Sequence, residues 1–88
     1  MSITVLVFAD LQATLMAKTG TSHTVLDYQD GDTVSTVFER LQTHHGVSLT
    51  DTTSKARLRV AINEAFAEWD TPVHDGDEVA FIPPVAGG

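Results

Sequence analysis

The sequence predicts a single α+β domain: a mixed sheet with its first and last strands side by side at the centre, and one main helix packed across it. Three observations carry this expectation. The chain opens and closes on its most apolar strand-like segments, Ile3 to Ala9 and Glu78 to Pro83. Between them lies one clearly amphipathic helix. The remaining segments alternate with period two and are punctuated by Asp-Gly turns at Asp30-Gly31 and Asp75-Gly76.

Ile3 to Ala9 is β-branched and nearly all apolar, as a central strand covered on both faces should be. Asp10 is expected to cap a short helix through Leu11, Leu15 and Met16, with Gly20 just past its end. His23 to Tyr28 alternates as a second strand, closed by the turn Gln29-Asp30-Gly31-Asp32. Thr33 then caps the main helix. Val34, Val37, Phe38 and Leu41 fall at i, i+3, i+4 and i+7 and so share one face, and Gly46 is the expected terminator. Val47 to Ser54 is polar and Thr-rich, a loop with room for one helical turn. Leu58, Val60 and Ile62 alternate with Arg57, Arg59 and Ala61, the pattern of a strand with one wet face. Asn63-Glu64 suits a turn, Phe66 to Trp69 a short return strand, and Asp75-Gly76-Asp77 a second turn before the last strand. Residues 1–82 are expected to form the folded domain and residues 83–88 an extended C-terminal tail.

Composition narrows the function. With 88 residues, 42% hydrophobic and 19% charged, the chain is globular, with a core just large enough to fold without a staple. It has no cysteine, so a disulfide, a thiolate metal site and a cysteine nucleophile are excluded. Ile3 to Ala9 is too short and lacks the basic leader of a signal peptide, and no run approaches the ~20 apolar residues of a membrane span. The expected compartment is the cytoplasm, with no membrane partner. Net charge is −7, and all five cations precede position 60. Residues 60–88 hold Glu64, Glu68, Asp70, Asp75, Asp77 and Glu78 without a Lys or Arg. Such a surface repels phosphate backbones, which argues against nucleic acid. It either keeps a small domain soluble or steers it toward a basic partner.

Catalytic constellations are scarce. His44 and His45 are neighbours at a helix end and do not share a face, so a metal site is not expected there. Asp75-Gly76-Asp77 is ordinary turn chemistry, and there is neither a Gly-rich phosphate loop nor a Ser-His-Asp order. The tail is different. Pro83 and Pro84 each lock φ and remove an N–H, so this segment should leave the domain as a stiff arm. From Val85 through Ala86 and Gly87 to Gly88 the reach is roughly 13 Å when extended. Two glycines without Cβ form a narrow tip that a partner's backbone can enclose. A frayed end is the plainer alternative, but frayed ends are usually polar and this one is apolar. The one group placed to react is the Gly88 carboxylate, which is ionised and inert as an acyl donor until something activates it.

The stretch from Asp75 through Glu78 and Phe81 to Pro83-Pro84-Val85-Ala86-Gly87-Gly88 closely resembles the end of the small, sulfur-carrying subunit of molybdopterin synthase. Val5 to Ala9, Thr33-Val34 with Leu41, and Val60 to Glu64 match that family more loosely. The resemblance implies a ubiquitin-like β-grasp fold and a carrier that is not an enzyme on its own. An ATP-dependent activating enzyme would adenylate the Gly88 carboxylate, and sulfur would displace AMP to leave a thiocarboxylate. The tail would then enter the large synthase subunit, in a heterotetramer, and give its sulfur to a cyclic pyranopterin precursor of the molybdenum cofactor. No cofactor is bound stably; ATP is the activating enzyme's, and sulfur is carried covalently. Gly88 would bear the sulfur and Gly87 the narrow profile. Phe8, Phe66 and Ile82, with Pro83, Pro84, Val85 and Ala86, fall where the family contacts its partners. Gln12-Ala13 stands where the family often has Arg-Glu, and the stretch from Lys18 to His23 is longer and more polar than usual. Carriers of cysteine or thiamine synthesis share the diglycine, as does a ubiquitin-like modifier that forms isopeptide bonds. A small acidic binding domain with an incidental tail is the remaining alternative.

Overall fold

The computed structural model describes residues 1–20, 23–50 and 55–84. Among the described residues five strands and two α-helices follow in the order β1 (Ser2–Val7), α1 (Ala9–Thr19), β2 (His23–Asp27), α2 (Val34–His45), β3 (Arg59–Ile62), β4 (Ala65–Ala67) and β5 (Glu78–Ile82). They form one mixed sheet of order β2-β1-β5-β3-β4. The expected central pair is present: β1 and β5 run parallel, with Val5 opposite Val79 and Val7 opposite Phe81. This is the ubiquitin-like β-grasp roll that the resemblance implied.

The strand alternation decides which side is core. Ile3, Val5 and Val7 from β1 join Val79 and Phe81 from β5 beneath the buried stripes of α1 (Leu11, Leu15) and α2 (Val34, Val37, Phe38, Leu41). Phe38 sits at the centre, its ring 4.7 Å from that of Phe81 and 5.2 Å from that of Trp69. The α2 boundaries fall where the sequence put them. Thr33 accepts from the Thr36 backbone N–H while the Thr36 hydroxyl accepts from that of Thr33, and Gly46 ends the helix at φ 64°.

Several expectations shift. Helix α1 starts at Ala9 with Phe8 in the cap position, and Asp10 lies within its first turn. The backbone N–H groups of Leu11 and Gln12 already bond to the Phe8 carbonyl, so the helix begins as soon as β1 ends. The helical turn anticipated within Val47 to Ser54 occurs later, as a 3-10 turn over Lys55–Arg57, and residues 51–54 lie outside the described residues. The return strand occupies Ala65–Ala67 instead of Phe66 to Trp69. Trp69 has turned inward, its ring 5.8 Å from Phe81 and capped by Lys55 Nζ at 4.6 Å from the centroid.

Asp32, read above as part of a turn, is buried at 5% exposure and organises the loop ahead of α2. Its carboxylate accepts from Arg40 Nη1 at 3.0 Å and Nη2 at 2.6 Å, and from the Thr36 hydroxyl and the Gln29 backbone N–H. The Arg40 hydrogen bond, above all, holds the Asp32 carboxyl below its usual range against the opposing cost of burial. A depressed carboxyl stabilises the fold above its unfolded pKa of 3.8, and this is lost as pH falls through the lower folded value. Asp32→Asn should therefore lower stability by about 1–2 kcal/mol at neutral pH. It should also flatten the fall in melting temperature below pH 4, which an acid titration of thermal melts measures. An acid-side slope identical in the two proteins would remove Asp32 from this role.

Candidate functional site

The strand faces that point away from the helices form a second surface. Register carries a row of side chains across it: His23 on β2 lies opposite Leu6 on β1, Leu6 opposite Ala80 on β5, Ala80 opposite Ala61 on β3, and Ala61 opposite Phe66 on β4. Small alanines at the middle of the row leave a depression. A groove of about 340 Å³ results, floored by Leu6, Ala61 and Ala80 and walled by Phe8, Phe66 and Ile82. Phe8 is 42% exposed and Phe66 74%. Large aromatics held this open to solvent on a small domain are unusual unless something covers them.

The groove ends where the chain leaves the sheet. Val7 is paired with Phe81, so one step further along these parallel strands Phe8 stands beside Ile82. Pro83 follows and is buried, and Pro84 is exposed. The stiff base of the tail is thus set at the mouth of the groove. Val85, Ala86, Gly87 and Gly88 lie outside the described residues. The charges around the groove are arranged by the same hairpin. Glu64 and Glu78 line it, and the Arg59 guanidinium sits 5.8 Å from the Phe66 ring centroid.

The three apolar residues singled out from the sequence, Phe8, Phe66 and Ile82, are brought together in this one groove. The sequence reading missed its floor and its acids. The period-two rule would have found the floor, since Leu6 and Ala80 alternate with the buried residues of β1 and β5. Elsewhere His45 is tied into the fold. The ring of His45 hydrogen-bonds the Thr24 hydroxyl at 3.0 Å, and burial, reinforced by the neighbouring His44, holds its pKa below the ordinary value. Among the described residues no three His, Asp or Glu side chains converge to hold a metal, and no helix is long and apolar enough to cross a membrane.

A β-grasp body with an open apolar face beside its emerging last strand defines a ubiquitin-like module. The chain belongs to the ThiS family, whose sequence model matches residues 5–88. It is 53% identical over 32 residues to the molybdopterin synthase sulfur carrier subunit of Escherichia coli strain K12, a match covering 36% of this chain and 40% of that protein. Among solved structures it resembles SAMP1 from Haloferax volcanii over 100% of both chains, with a TM-score of 0.79 and 25% identity. It also shares its fold with a chain in the complex of subunits 1 and 2 of the molybdopterin-converting factor from Helicobacter pylori 26695 (TM-score 0.63, 21% identity, 100% of both chains). These similarities agree with the family read from the tail.

Proposed function

We propose that this chain is the sulfur-carrier subunit of a molybdopterin synthase, acting through a thiocarboxylate on Gly88. The observation that carries the reading is the apolar groove opening beside the strand that delivers a Gly-Gly end, in a chain whose family match runs to that end. The Gly88 carboxylate attacks the α-phosphorus of ATP on an activating enzyme, releasing pyrophosphate and forming an acyl adenylate. Sulfide then displaces AMP at the carbonyl carbon, leaving the Gly88 thiocarboxylate. The large synthase subunit covers the groove through Phe8, Phe66 and Ile82 while the arm from Pro83 to Ala86 threads Gly87 and Gly88 toward the bound cyclic pyranopterin precursor. There the carrier gives up its sulfur, and water restores the carboxylate. This chain contributes no acid, base or metal to the chemistry. Its part is reach, a narrow tip and a docking face, in the cytoplasm where ATP and the precursor are available.

The test is an intact mass of the protein purified from its own host. A fraction heavier by the difference between sulfur and oxygen, mapped to Gly88, is expected. Its absence after incubation with ATP, sulfide and the activating enzyme would sink the carrier reading. A modifier is the second reading, favoured by the whole-chain similarity to SAMP1, which is also described as small archaeal modifier protein 1. That reading requires isopeptide-linked Gly-Gly remnants on lysines of other proteins.

A further inference from the structure

The turn between β3 and β4 holds a residue that the fold itself does not use. Asn63 and Glu64 have φ of 52° and 71°, and they are the non-glycine residues with positive φ among the described residues. A two-residue hairpin turn with both centres left-handed favours Asn first and Gly second. Asn63 conforms. Its side-chain amide donates to Asp77 Oδ1 and its carbonyl accepts from the Glu78 backbone N–H, each at 2.9 Å, which ties the hairpin to the head of β5. Glu64 stands where glycine belongs and carries a Cβ that crowds the backbone there. In return its exposed carboxylate forms no hydrogen bond or ion pair with any described residue.

What Glu64 does have is position. It lies at the rim of the groove, and it and Glu78 are the two charged residues lining a surface otherwise made of Leu6, Phe8, Phe66, Ile82 and two alanines. Among the described residues no Lys or Arg lines that groove, and the nearby Arg59 lies over the Phe66 ring without an ion pair to either acid. An apolar groove by itself discriminates poorly among apolar partners, whereas a fixed charge at its rim admits the complementary one and repels the rest.

We propose that Glu64 is a partner-specificity residue. Its carboxylate, with Glu78 as a second acceptor, receives a lysine or arginine of the protein surface that covers the groove. The occupant is the large synthase subunit, and the inference rests on the carrier reading above. Glycine at position 64 would make a better turn and a less selective face.

Two variants separate backbone from charge. Glu64→Gly relieves the left-handed strain and should raise the melting temperature by about 2–5 °C. Glu64→Gln keeps the backbone conformation and removes only the charge, so its melting temperature should stay within about 1 °C of the unaltered protein. Both should bind the purified large subunit of the same organism about five- to tenfold more weakly at low salt, and the gap should close as salt screens the pair. Binding by Glu64→Gln equal to that of the unaltered chain at every salt concentration would overturn the proposal and leave the carrier reading intact. A lower melting temperature for Glu64→Gly would show that the fold does use Glu64, and would overturn it as well. Failure of the unaltered chain to bind the large subunit would remove the carrier reading, and this inference with it.

Discussion

Deleting Gly88, or adding one residue after it, should abolish sulfur transfer while leaving the melting temperature unchanged. The core among the described residues runs from Ile3 to Phe81, ahead of the tail. The length of the tail sets where the reacting carbon arrives. Reaction requires near-attack geometry, and a displacement of about 1 Å can cost ~10²-fold in rate. One residue moves the carbon by roughly 3.3 Å. Single-turnover sulfur transfer with each variant, beside a thermal melt, checks both halves. An extended variant that keeps full activity without being trimmed back to Gly88 would sink the mechanism.

Phe66→Asp should weaken association with the large subunit by about 30-fold, corresponding to the ~2 kcal/mol typical of losing a central aromatic anchor. Stability should change by less than about 1 kcal/mol, because the side chain is 74% exposed and belongs to no part of the core cluster. Arg59, already over the Phe66 ring, is within reach of a carboxylate placed there. Melts and a binding titration of the same preparation decide the matter. Affinity unchanged within about twofold would mean that the partner docks elsewhere, and the groove would lose its assigned role.

The elements whose signals are local were legible before any coordinates. Thr33 and Gly46 bracket α2 because capping hydroxyls and left-handed glycines act within a turn of the residues they cap. The β1–β5 pairing was legible because these are the most apolar strands in the chain, but the expected cover on both faces is not found: burial alternates along each strand, and Leu6 and Ala80 face the open groove. The tail carried the most specific sequence signal, but Val85 to Gly88 lie outside the described residues. Where the reading drifted, a distant partner had overridden a local preference. Trp69 left the expected strand to stack near Phe81, and Asp32 became a buried acceptor because Arg40, a full two turns along α2, reaches back to it. The hydrogen bond from the Ser2 backbone N–H to Asp75 Oδ1 at 2.7 Å spans 73 positions, and no local pattern announces it.

By itself, then, the sequence determined the two helices and the central strand pair, which follow from short-range sterics and hydrophobic period, while the family was read from the resemblance of the tail and the reactive Gly88 end stands as a proposal. Only the tertiary structure decided that Phe8, Phe66 and Ile82 share one groove with Glu64 and Glu78. Those five residues come from β4, β5, the β3–β4 turn and the residue that follows β1, and what brings them together is strand register. Register is a property of paired strands: a slip of one residue would turn each of these side chains to the opposite face, and it is the packing of the whole core that forbids the slip.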